Sequence, residues 1–187
     1  MTTNRNKIYP GMIDNSVEFF VINDQLNAIQ NGVIKNFTDF SFSLISLIKE
    51  EMETDEAALE ALMQMHPGSN LRRIEQFAKC RFGGLDGTPD IKDGVIGEGD
   101  YWDCPVREHC QFNGTICKAP QYNGQELTPV DIEIMKSSAT TKTNEVIAEE
   151  IGVPYGTFHK IKQNLYSKLE VQTKQEVAVI AVLLNFI

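Results

Sequence analysis

Cys80, Cys104, Cys110 and Cys117 are all the cysteines of this 187-residue chain, and they lie within 38 residues of one another, separated by 23, five and six positions. Four thiolates complete a tetrahedral zinc site or ligate an iron-sulfur cluster. Scattered free cysteines are ordinarily small buried apolar residues, but four in one short stretch predict a metal. Zinc as a structural staple is the first expectation and an iron-sulfur cluster the alternative. The Cys-x-x-Cys knuckle of many zinc sites is absent. His109 adjoins Cys110 and is read as an exposed turn residue rather than a ligand, and Tyr101 and Trp102 are expected to roof the site.

A second group of polar residues lies near the C-terminus. Winding the segment from Tyr155 to Leu169 as a helix puts Phe158, Ile161, Leu165 and Leu169 on one stripe and His159, Lys160, Gln163 and Ser167 opposite. Such a face alone is usually just solvated. Inside a helix-turn-helix it enters the major groove, where Tyr155, His159, Lys160 and Gln163 suit base edges and Thr157, Lys162, Asn164 and Lys168 suit phosphates.

Other chemistry is missing. There is no phosphate-binding loop, dinucleotide turn, serine nucleophile elbow or His-Glu-x-x-His, and too few alternating elements for a phosphoacceptor receiver. No enzymatic activity is expected.

The elements that must position these residues divide the chain. Residues 1–16 are polar and read as a flexible N-terminus. A region over 17–119 follows, then a linker over 120–126 and a helical region over 127–187. In the first region, Asn23-Asp24 and Asn31-Gly32 separate three apolar runs and predict a small β-meander. Thr38 is placed as the cap of a helix carrying Phe42, Ile45, Ile48 and Met52. Thr54 is placed as the cap of a second helix with Leu59, Leu62 and Met63, and a third runs from Leu71 to Lys79. From Arg81 to Asn123 the chain is glycine-rich and nearly aperiodic, and a loop of that length needs something besides packing to hold it.

In the helical region, Thr128 and Pro129 open a first helix and Thr143 or Asn144 caps a second. Gly152 makes a turn, a third helix begins near Pro154, and a fourth is apolar nearly all round. The fold class is therefore α+β: a β-meander with helices and a Cys-rich loop segment (80–117), then four helices.

Net charge is −9, with a balance of −2 over 126–187 from six basic and eight acidic side chains. Lys160, Lys162, Lys168 and Lys174 face only Glu170 between 154 and 174, a local +3 on an acidic body. No stretch approaches the length of a spanning helix and the first 15 residues lack a signal-peptide core, which predicts a cytoplasmic protein with no membrane partner and no disulfides.

Residues 127–187 resemble the C-terminal DNA-binding domain of the LuxR family. The matching positions are Leu127, Thr128, Pro129, Glu133, Asn144, Ile147, Ala148, Gly152, Thr157, Asn164, Lys168, Leu169, Val171 and Glu176. The resemblance implies a four-helix domain whose third helix reads double-stranded DNA and whose fourth supports a homodimer. Val177, Ile180, Ala181 and Leu184 are the expected dimer stripe, and the apolar surface all round this helix predicts a second contact, with a two-fold partner or, as the alternative, the N-terminal domain. Glu145 and Val146 stand where the family usually has Lys and Glu, Pro154 replaces the usual Ser, Phe158 the usual Val and Ile161 the usual His.

The expected function is a sequence-specific transcriptional regulator with a metal-binding N-terminal domain that senses a signal or recruits a partner such as RNA polymerase. Two alternative functions fit the same residues. One is a protein-interaction module of phage or mobile-element type whose helix-turn-helix no longer reads DNA, and the other is an iron-sulfur redox sensor.

Overall fold

The computed structural model describes residues 8–187. The chain divides between Lys118 and Ala119 into two compact units, and the α+β class holds.

The first unit is built on three strands, β1 (Val17–Ile22), β2 (Gln25–Gln30) and β3 (Val33–Asn36). Their two-residue turns put Asn23, Asp24, Asn31 and Gly32 at positive φ, the geometry that matches the twist of a tight hairpin and that Asn, Asp and Gly tolerate best. Phe19 pairs with Ala28 and Val21 with Leu26, so these residues share one face. That face meets three helices, α1 (Phe42–Thr54), α2 (Glu56–Met65) and α3 (Asn70–Arg81), around a core that includes Ile48, Met52, Leu62, Ile74 and Phe77.

The helix caps differ from the expected ones. Ser41, not Thr38, accepts from the Leu44 N–H at 3.3 Å, and Thr38 lies in a short 3-10 turn over Phe37–Asp39. Asp55, not Thr54, accepts from the Ala58 N–H at 3.1 Å. Helix α1 buries Leu44, Ile48 and Met52 and leaves Phe42 outward, 86% exposed. Tyr9–Ser16 is also ordered rather than flexible. Gly11 donates to Asp14 Oδ1 at 2.9 Å and to Ser16 Oγ at 2.8 Å, and its carbonyl accepts from Gly32 at 2.7 Å. The remainder of the expected flexible N-terminus, 1–7, lies outside the described residues.

The aperiodic segment adds two strands that the sequence did not signal, β4 (Ile91–Lys92) and β5 (Val95–Ile96). They extend the sheet to the order β3-β2-β1-β4-β5. Residues just after α3 also run beside β1, with Val21 donating to the Gly83 carbonyl at 3.1 Å.

In the second unit, the expected linker is a short hairpin of β6 (Gln121–Tyr122) and β7 (Gln125–Glu126). It is closed by Leu127 N–H to the Pro120 carbonyl at 2.8 Å. Four helices follow: α4 (Pro129–Ser138), α5 (Asn144–Glu150), α6 (Tyr155–Leu169) and α7 (Lys174–Leu183). Ile134, Met135, Ile147, Phe158, Leu165, Leu169 and Val177 form their buried core.

Candidate nucleic-acid interface

The second unit is fixed first at the start of α4. Thr128 and Asp131 form a reciprocal capping box, the Asp131 N–H donating to Thr128 Oγ1 at 3.1 Å and the Thr128 N–H to Asp131 Oδ2 at 2.9 Å. Pro129 takes the first helical position, where its missing N–H costs nothing.

Gly152, at φ +70°, turns the chain out of α5. Its N–H bonds the Glu149 carbonyl at 3.0 Å and that of Val153 bonds Ala148 at 3.0 Å, a Schellman stop that satisfies two helix-end carbonyls. Helix α6 begins directly afterwards. Phe158, Leu165 and Leu169 are buried as expected and Ile161 is half-buried, which fixes the rotation of the helix. Tyr155, Thr157, His159, Lys160, Gln163 and Asn164 are consequently exposed together on its outer side.

That surface has internal order. The Tyr155 ring meets His159 edge-on at 4.5 Å, and its hydroxyl is hydrogen-bonded to Glu145 on α5. Lys162 lies 5.1 Å above the Tyr166 ring. Positive charge elsewhere in the unit is already engaged. Lys142 pairs with Glu150 at 2.7 Å, and Lys174 donates to the carbonyls of Thr140 at 3.1 Å and Lys142 at 2.7 Å. Among the described residues, Lys160 and Lys162 are the lysines of this unit with neither a carboxylate nor a carbonyl partner.

Residues 125–181 match the family model described as bacterial regulatory proteins, luxR family. This is a LuxR-type helix-turn-helix domain. The family is a regulatory DNA-binding one and not an enzymatic one, and the match supports a DNA-binding transcription regulator. No family match covers the N-terminal region, and no curated protein or solved structure matches the chain.

Two placements in the LuxR-type domain differ from those expected. Lys168 turns inward, its Nζ 2.7 Å from Asp131 Oδ2 and 2.9 Å from the Glu126 carbonyl, so it ties α6 to the α4 cap and to β7 instead of reaching outward to phosphate. Val177, Ile180 and Ala181 are buried within their own unit, because α7 uses that stripe to pack on α4, and Leu184 is half-buried beside them. The apolar residues α7 leaves in solvent are Val179, Val182 and Leu183, 59%, 54% and 64% exposed. No helix among the described residues is long and apolar enough to cross a membrane.

The cysteines all lie in the first unit, and none is in a disulfide. Cys80 lies in the last turn of α3 and Cys117 toward the end of the aperiodic segment. The buried Arg81 brings their neighbourhoods together, its Nε donating to the Ile116 carbonyl at 2.9 Å and its Nη2 to Asp55 Oδ2 at 2.9 Å. The Cys80 thiol donates to the Cys117 sulfur and accepts from Gln76 Nε2 at 3.2 Å. That contact, with the charges of Arg107 and Arg81, holds Cys117 down to about 6 against the pull of burial. Cys80 is pushed up by the same hydrogen bond and by burial.

Cys104 and Cys110 are half-buried and bracket a 3-10 turn over Arg107–His109, with Cys104 in electrostatic reach of Cys80, Cys117 and Cys110. Among the described residues, no three His, Cys, Asp or Glu side chains close around one point in the way a bound ion requires. His109 is exposed, and Tyr101 is buried beneath the Arg107 guanidinium at 4.8 Å.

One polar cluster was not foreseen. Glu18 on β1 is fully buried, facing away from the helices, with Asp86, Asp90 and Asp100 in electrostatic reach. Its Oε1 accepts from Asp86 N–H at 2.7 Å and its Oε2 is without a hydrogen-bond partner. Burial, then the negative charges of Asp86 and Asp100, push Glu18 up to about 8. Burial and neighbouring carboxylates also raise Asp90 and Asp100. The sequence held one signal, a glutamate amid Val17, Phe19, Phe20 and Val21, but alternation alone assigns it to solvent.

Proposed function

We propose that this chain is a sequence-specific, homodimeric DNA-binding regulator of transcription. The first turns of α6 enter the major groove of double-stranded DNA. His159, Lys160 and Gln163 read base edges there, with Tyr155 at the rim. Thr157, Lys162 and Asn164 meet the flanking phosphates. The observation that carries this reading is the outer face of α6, where the two lysines without acceptors stand among exposed hydrogen-bonding side chains. A LuxR-type domain beneath that face supports it.

The exposed side of α7 at Val179, Val182 and Leu183 provides the two-fold contact, which sets the separation of two half-sites. The first unit acts as the sensing or partner-recruiting part, with RNA polymerase among the partners it can present to. Selection of bound sites from a random DNA pool, followed by mobility shift on the recovered site, tests the reading. Enrichment of a motif and its loss in Lys160→Ala and Gln163→Ala support it, and recovery of random sequence refutes it.

A second reading has one observation in its favour. Glu145, hydrogen-bonded to Tyr155, sets a carboxylate beside the same face, where it repels phosphate and suits a protein partner instead. Salt separates the two, because DNA affinity falls steeply between about 50 and 200 mM salt whereas an apolar protein contact hardly changes.

A further inference from the structure

We propose that Cys80, Cys104, Cys110 and Cys117 bind a single zinc ion that staples the aperiodic segment of the first unit to the end of α3. The inference does not depend on whether α6 reads DNA.

Placement comes first. Cys80 stands on a regular helix, whereas the other three lie on a segment whose only regular structure is the β4–β5 hairpin and one 3-10 turn. Despite 23 intervening residues, Cys104 is in electrostatic reach of Cys80, and Cys80 touches Cys117 directly. Arg81 and the Ile116 carbonyl hold the backbones adjoining that pair together. Half of a ligand set is thus already built on the buried side.

The other half sits on one turn. Arg107 N–H bonds the Cys104 carbonyl at 3.0 Å and Cys110 N–H bonds Arg107 at 3.3 Å, so Cys104 and Cys110 flank a single compact loop. Both are only half-buried, and turning their side chains toward the Cys80–Cys117 pair completes four sulfurs.

The contact between two of the sulfurs fits zinc and speaks against a four-iron cluster. Zinc–sulfur bonds of about 2.3 Å in a tetrahedron put neighbouring sulfurs about 3.8 Å apart. Two sulfurs in hydrogen-bonding contact, as Cys80 and Cys117 are, fit one edge of that tetrahedron. In a four-iron cluster each thiolate binds a different iron, which holds the ligand sulfurs further apart, whereas a two-iron cluster also puts two thiolates on one iron.

The surroundings suit the charge. A zinc ion with four thiolates is doubly negative. Arg107 is in electrostatic reach of Cys104 and Cys117, and Arg81 of Cys117. The Arg107 Nε and Trp102 Nε1 hydrogens are buried without an acceptor. Donors of that kind orient and stabilise metal-bound thiolates.

The test uses the full-length protein purified without added metal. Elemental analysis is expected to give about one zinc per chain and no iron, and exchange into cobalt to give the absorption of a tetrahedral thiolate site. Cys104→Ser and Cys110→Ser change half-exposed positions, so the helical circular dichroism should stay while zinc retention against a chelating dye falls by about tenfold or more. A metal-free wild-type protein whose four thiols titrate freely overturns the proposal. So does iron with visible absorbance, or Cys104→Ser and Cys110→Ser variants that keep zinc as the wild type does.

Discussion

Lys168 Nζ lies 2.7 Å from Asp131 Oδ2, joining the last turn of α6 to the first turn of α4 through an ion pair whose carboxylate is almost wholly buried. Asp131 already serves the Thr128 N–H with the same oxygen, so the lysine completes a small network instead of facing outward.

That network separates folding from binding. With side chains 27% and 5% exposed, removal of the cation leaves Asp131 buried and under-satisfied. Lys168→Met is expected to destabilise the C-terminal unit by about 1–3 kcal/mol, read as a lower urea midpoint by circular dichroism. The salt slope of DNA binding should not change, and a slope flattened by about one unit would return Lys168 to the phosphate contacts.

Lys160 and Lys162 should behave in the opposite way. Lys160→Ala leaves the unfolding free energy unaltered within about 0.5 kcal/mol, as a surface change does, and weakens DNA binding. Gln163→Ala is expected to cost about 1–3 kcal/mol on the selected site and to relax preference at one base position. Equal losses on selected and random DNA would show that Gln163 reads no base.

The buried carboxylates of the first unit give a pH dependence with a definite sign. Glu18 is raised to about 8 in the folded chain, so folding retains a proton that the unfolded chain releases above its ordinary carboxylate value. Its contribution is fully present below about pH 4.5 and is lost as pH rises through about 8, and Asp90 and Asp100 act in the same direction. Thermal melts should show the first unit less stable at about pH 8.5 than at about pH 5.5, with a shallower dependence in Glu18→Gln. Stability that climbs with pH across that window would contradict the burial of these groups as acids.

Glu170 ends α6 in the left-handed region, at φ +55°, where its N–H bonds Ser167 and the next N–H bonds Tyr166. Glycine occupies such a stop without a Cβ penalty, so Glu170→Gly should raise stability by about 0.5–1 kcal/mol. A lower melting temperature would mean that the glutamate makes a compensating contact.

Val182→Glu tests the outer side of α7. A charge there leaves the monomer fold intact and should convert a dimer into a monomer in sedimentation velocity. Val177, buried in the same helix, should lose the fold when so changed. A Val182→Glu protein that still sediments as a dimer would place the two-fold contact elsewhere.

The two units were not equally legible in the sequence. Asn23-Asp24, Asn31-Gly32, Thr128-Pro129 and Gly152 announce turns and helix ends through local backbone preference, and the structure puts turns or ends at each. Faces depend on what packs against them. Glu18 faces away from the helices yet is buried, because the segment after α3 follows β1 on that side. Val177, Ile180 and Ala181 form a clear stripe, but periodicity cannot tell whether a stripe meets its own domain or another molecule. Helical winding alone points Lys168 outward for the same reason, its partner lying 37 residues away in sequence.

The hairpin before α4 bears on how such a chain can be inherited. Pro120 accepts from Leu127, and Glu126 accepts from Lys168 at the far end of α6, so the helical unit carries its own N-terminal clasp. A recombination event that cut at Leu127, where the helix-turn-helix pattern begins, would remove both acceptors and strand their donors, Leu127 N–H and Lys168 Nζ. One that cut at Lys118 would hand over a piece already closed on itself. The compact unit begins at Ala119, about eight residues ahead of the recognisable motif.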